Sequence, residues 1–106
     1  MGLGPIGASQ KALKRAKLSI KDIDIVELNE AFASQSLACI NDLGIDKNKV
    51  NLDGGALALG HPLGATGARI TGKAAEILRR ENKKYALTTQ CIGLGMGIAT
   101  VIETVN

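Results

Sequence analysis

Three side chains in this sequence have the types and the placing for joint chemistry: Asn29, His61 and Cys91. His61 is the only histidine. It lies in Gly54-Gly55-Ala56-Leu57-Ala58-Leu59-Gly60-His61-Pro62-Leu63-Gly64-Ala65, where glycine and alanine neighbours are too small to pack around a core histidine. An imidazole delivered into such a place can take or give a proton near neutral pH. The thiol of Cys91 becomes a nucleophile or a proton carrier once a nearby base takes its proton. Gly93, Gly95 and Gly97 follow it and can turn backbone N–H groups toward a developing negative charge. Each residue also has a plainer reading: Asn29 as a helix cap, Cys91 as a small buried apolar residue, the glycines as a turn. The Gly54-Gly55 pair lacks the Lys-Ser/Thr of a phosphate loop and the spacing of a dinucleotide fingerprint. Cys39, His61 and Cys91 lack the paired spacing of a zinc site, so no metal is expected.

The elements that must position these residues can be read from periodicity and punctuation. Residues 5–17 read as an amphipathic helix opened by Pro5. Ser19 and Asp22 form a capping pattern over a short turn. Residues 24–28 are β-branched at their middle and read as a strand. Asn29 is the expected cap of a second helix running to Leu43, with Gly44 as its stop. Residues 50–52 read as a short strand. Pro62 opens the longest helix, to Arg80. Its apolar side carries Ile70, Ala74, Ile77 and Leu78, and a second side of small residues carries Gly64, Ala68, Gly72 and Ala75, so the helix is expected between two layers. Residues 85–91 and 98–104 read as strands joined in a hairpin through the glycine-rich loop.

The order helix-strand-helix-strand-helix-strand-strand implies an α/β fold with a mainly parallel sheet, made mixed by the final hairpin. The first strand that would complete the opening βαβ unit is missing. Asn29, His61 and Cys91 each fall at or just beyond the end of an expected strand. Strand ends of one α/β sheet share an edge, so three separate segments are expected to converge there.

With 106 residues, the chain is sized for one domain with a modest core. The net charge is +3, but the basic residues are scattered, and with one Phe, one Tyr and no Trp there is no base-stacking platform. Nucleic acid is therefore not an expected partner. No apolar run suits a membrane span and the start does not read as a secretory leader, so no membrane association and a cytoplasmic setting with free thiols are expected.

The residues also carry a resemblance. Asn29-Glu30-Ala31-Phe32, the long stretch around Gly60-His61-Pro62, and Cys91-Ile92-Gly93-Leu94-Gly95-Met96-Gly97 resemble, in order, the signature motifs of the second half of the thiolases. Met1-Gly2-Leu3-Gly4-Pro5 resembles a segment thiolases carry just before them. The resemblance covers essentially all of residues 1–106. It implies most of one thiolase-like half: an incomplete C-terminal domain with a buried helix layer, lacking the first strand of the half, the N-terminal half and its loop region.

The function so implied is that of the C-terminal catalytic segment of an acetyl-CoA acetyltransferase. Such an enzyme makes or cleaves 3-ketoacyl-CoA by Claisen condensation or thiolysis. By the resemblance, His61 activates a nucleophilic cysteine borne by the other half and helps bind the thioester oxygen. Asn29 holds a water that completes this oxyanion site. Cys91 is the acid/base at the carbon α to the thioester, and the Gly93 N–H contributes to a second oxyanion site. Ala31 and Phe32 match positions near the CoA tail, and Met1 a position beside the acyl pocket. Coenzyme A thioesters are implied as substrates with no further cofactor, and the full-length form as a homo-oligomer that includes the missing N-terminal thiolase half.

Leu94 departs from the family pattern, standing where many thiolases have glycine, and Thr66 replaces the commoner serine. A non-catalytic thiolase piece acting only as an association module is the alternative. A ketoacyl synthase would pair its cysteine with two histidines, where this chain has one.

Overall fold

The computed structural model describes residues 1–105. Helix α1 spans Gly4–Ala16, with Pro5 in its first turn, where a missing N–H costs nothing. It stops at Lys17, which adopts a left-handed conformation and donates its N–H back to Leu13 and Lys14. A single 3-10 turn follows over Ile20–Asp22, held by the Asp22 carboxylate, which accepts from the Ser19 N–H at 2.7 Å and hydroxyl at 2.8 Å.

Strand β1 is Ile25–Leu28 and is buried along its whole length. Helix α2 is Ala33–Leu43, ended by Gly44 at φ 65°. A short helix α3, Ala56–Leu59, precedes the long α4, Leu63–Arg80. Strands β2, Tyr85–Cys91, and β3, Gly97–Glu103, close the chain as a hairpin. The sheet order is β1-β2-β3, with β1 parallel and β3 antiparallel to β2.

Alternation along β1 sends side chains to two cores. Val26 and Leu28 join Leu13 of α1 and Cys39, Ile40 and Leu43 of α2 on one face. Ile25 faces Ala74, Ile77 and Leu78 of α4 on the other. Helices thus cover both faces of a mixed sheet, the arrangement expected of an α/β unit.

Three details differ from the expectations of the sequence. The strand expected at 50–52 is a single parallel bridge between Val50 and Val26. The cause is Asn51, whose φ of 47° breaks the extended run. Asn29 does not cap α2, because Phe32 holds the N-cap position. The small-residue side of α4, with Gly64, Ala68, Gly72 and Ala75, is exposed, so among the described residues α4 is covered on one face only.

Candidate active site

The site is assembled at the carboxyl end of β1 and β2. Asn29 directly follows β1 and is completely buried. Its backbone N–H donates to Thr89 O at 3.0 Å, extending the parallel pairing one step beyond the strand. The following residue, Glu30, reaches across to the start of α3, where its Oε1 accepts from the Leu57 N–H at 3.2 Å. A Cβ at position 55 would meet this carboxylate, so the glycine there leaves Glu30 in its place. Glu30 thereby fixes α3, and α3 fixes the turn Gly60-His61-Pro62.

His61 is half-buried and held at both ring nitrogens. Its Nδ1 lies 2.6 Å from Thr66 Oγ1, and its Nε2 lies 3.5 Å from Asn29 Nδ2. Thr66 is fully buried in the first turn of α4. Its hydroxyl also lies 3.1 Å from Pro62 O, the carbonyl that opens the helix and accepts from the Ala65 and Thr66 N–H groups. The Asn29 Oδ1 is buried without a hydrogen-bond partner among the described residues.

Cys91 ends β2, opposite Gly97 in the antiparallel register. The loop beyond it is closed by two backbone bonds, Ile92 N–H to Met96 O at 3.1 Å and Met96 N–H to Gly93 O at 2.9 Å. Gly93, Leu94 and Gly95 all take positive φ, and Leu94 points its side chain out, 97 % exposed. The leucine that departs from the family pattern therefore faces solvent. Gly4 and Gly97 touch backbone to backbone, so that neither can carry a Cβ, and this contact sets the segment 1–3 beside the loop.

Cys91 and Gly93 line one cavity of about 450 Å³ together with Met1, Ala31 and Phe32. Five of the residues singled out from sequence meet there, while His61 and Asn29 form a pair that does not line it. Cys39 is separate in character. It is fully buried in α2, where Gln35 Nε2 donates to its sulfur and the sulfur to Gly2 O, both at 3.6 Å, and burial pushes its thiol pKa up. Among the described residues no group of three His, Cys, Asp or Glu side chains could hold a metal ion.

Two residues gain their significance only from the fold. Thr66 reads as a harmless variation until its contact with His61 is seen. Glu27 reads as one more strand residue, yet its carboxylate is buried with both oxygens unpartnered among the described residues. Burial pushes its pKa up to about 7, against the pull of Arg69, whose Nε is likewise buried and unpartnered. An acidic residue inside the run Ile25-Val26-Glu27-Leu28 was the available signal.

The whole chain has close counterparts among known proteins. The family profile described as "Thiolase, C-terminal domain" matches residues 1–104. A 3-ketoacyl-CoA thiolase of Vibrio vulnificus (strain YJ016) is 60% identical over 106 residues, covering 97% of this chain and 27% of that protein. One of Aeromonas salmonicida (strain A449) is 58% identical over 108 residues, covering 99% of this chain and 28% of that protein. The crystal structure of human mitochondrial 3-ketoacyl-CoA thiolase superimposes with a TM-score of 0.96 at 53% identity, over 98% of this chain and 26% of that one. A second structure of that human enzyme, in complex with CoA, matches equally well, with a TM-score of 0.96. The chain thus spans about 27% of the length of the relatives it matches. On the match of residues 1–104 to that profile and on 60% identity over nearly the whole chain, this chain belongs to the thiolase family, as its C-terminal domain.

Proposed function

We propose that this chain supplies the acid/base and oxyanion groups of a 3-ketoacyl-CoA thiolase, an acyltransferase that cleaves or forms 3-ketoacyl-CoA. The observation that carries this reading is the contact of His61 Nε2 with the buried Asn29 amide, 3.5 Å away, where Asn29 follows β1 at the same sheet edge at which Cys91 ends the adjacent β2. In the proposed reaction His61 takes the proton of a nucleophilic cysteine. The thiolate accepts the acyl group and releases the acetyl-CoA carbanion, which takes its proton from Cys91. Asn29, through a held water, and His61 stabilise one thioester oxygen, and the Gly93 N–H another. The nucleophile is assigned to the part of the thiolase length that this chain does not span, since Cys39 is fully buried and its thiol is raised by burial.

Met1, Ala31 and Phe32 are assigned to the acyl and CoA side of the cavity. The substrates are CoA thioesters, and no other cofactor is called for. Assembly of the whole enzyme as a homo-oligomer and a cytoplasmic setting belong to the same proposal.

The test is reconstitution. The chain is combined with the N-terminal half of a 3-ketoacyl-CoA thiolase, and thiolysis of acetoacetyl-CoA is followed. Activity is expected only with both parts, and His61→Ala or Cys91→Ala should each lower kcat by at least ~10²-fold. Full turnover by the chain alone would overturn the assignment of the nucleophile. Normal turnover in either variant would overturn that residue's role. A complex that forms but never turns over would favour a purely associative module.

A further inference from the structure

We propose that Thr66 is the positioning residue of His61. Its hydroxyl, engaged with the carbonyl of Pro62, holds the imidazole as the Nδ1–H tautomer and leaves the basic lone pair on Nε2, the nitrogen that faces Asn29. The importance of this rests on the proposed role of His61 as a base, while the tautomer itself is independent of it.

The contacts of Thr66 select the tautomer at Nδ1. A threonine hydroxyl has one proton to give. Pro62 O, at 3.1 Å from Thr66 Oγ1, can only accept. A helical threonine commonly bonds to the carbonyl four residues back, and this contact has that spacing. With its proton directed there, the hydroxyl offers a lone pair to Nδ1 at 2.6 Å, so Nδ1 must donate. At the other end, Asn29 Nδ2 lies 3.5 Å from Nε2, a placing compatible with an accepting Nε2 but too long to fix it, so the tautomer is set at Nδ1. Asn29 and Thr66 are both fully buried, so neither partner is readily replaced by solvent.

The contact also ties the ring to α4. His61 and Pro62 lie outside the helix, but Thr66 lies within its first turn, and α4 is anchored on the sheet by Ala74, Ile77 and Leu78. Without Thr66 the imidazole would be linked to that frame only through the Gly60-His61-Pro62 backbone. A β-branched threonine adds a restricted χ1 to this geometry. A base presenting the wrong nitrogen loses its proton acceptor even when its position is unchanged, which is why tautomer control belongs to catalysis rather than to packing.

The experiment uses the single histidine of the chain. A sample with ¹⁵N-labelled histidine has one pair of ring nitrogens, and their two-bond proton couplings identify the tautomer at a pH where imidazole is neutral. The native chain is expected to show a protonated Nδ1 and a bare Nε2. Thr66→Ser should keep that pattern, and Thr66→Val should shift the ring to the Nε2–H form. A native spectrum with Nε2–H overturns the proposal by itself, whether or not Thr66→Val folds. A folded Thr66→Val chain that keeps Nδ1–H also overturns it. In the reconstituted enzyme, Thr66→Val should lower kcat by ~10²-fold with KM little changed, and Thr66→Ser should restore it. A switched tautomer with unchanged kcat would support the assignment of Thr66 and overturn the role of His61 as the base.

Discussion

The side chain of Asn51 does the work of a strand along the outer edge of β1. Its Oδ1 accepts from the Leu28 N–H at 2.9 Å and its Nδ2 donates to Leu28 O at 2.8 Å. Leu28 is 1% exposed, so without Asn51 two backbone groups would be left unpaired immediately before Asn29. A buried donor or acceptor stripped of its partner costs about 1–3 kcal/mol. Asn51→Gly keeps the positive φ at no steric cost and removes only the amide. It should lower the free energy of unfolding by about 2–3 kcal/mol, read as a fall in the urea midpoint. An unchanged midpoint would show that the side chain does not complete the edge.

Glu27 makes stability depend on pH in the less familiar direction for a carboxylate. Its pKa rises from 4.5 to about 7 on folding, chiefly through burial, with Arg69 and Lys73 opposing and Asp53 and Glu30 assisting. The folded chain therefore holds this proton more tightly than the unfolded chain. The stabilisation is complete below pH 4.5 and is lost as pH rises toward about 7. Glu27→Gln has no proton to lose. The stability difference between variant and native chain should shift in favour of the variant by ~2 kcal/mol between pH 4.5 and pH 8, after allowance for solvent screening. Parallel stability curves for the two chains would refute it.

The two thiols should separate cleanly under alkylation. Cys91 is half-buried at the cavity, whereas Cys39 is fully buried with its pKa raised. In the native chain one thiol should react promptly, identified as Cys91 by peptide mapping. Cys39 should react at least ~10²-fold more slowly, through opening of α2. Two thiols reacting at one rate would contradict the packing described around Cys39.

Most of the frame was legible because its signals are local. Pro5, Gly44 and the Ser19–Asp22 pair act within a turn of their own position, and α1, α2, β2 and β3 fall within a few residues of where periodicity puts them. The bridge at Val50 was not legible, because Asn51 leaves the strand in order to serve Leu28, far off in sequence. Asn29 is no cap for a similar reason: its amide nitrogen faces His61, and the chain runs on to Phe32 before α2 begins. The motifs pointed to the residues around the cavity, but not to Thr66 or Glu27. A threonine on a helix and a glutamate on a strand gain their meaning only from what folding sets against them.

The contact between α1 and the final hairpin bears on the making of the chain. Ser9 Oγ donates to Thr89 Oγ1 at 3.1 Å, a buried bond between residues 80 positions apart. Pairings this distant carry a large loop-closure cost and slow folding. At ordinary ribosomal speeds of about 5–20 residues per second, α1 emerges roughly 4–16 s before the strand that covers it. During that interval the face of α1 that carries Ser9 lacks its partner strand, which makes the nascent chain, rather than the finished one, the form most in need of a chaperone's protection.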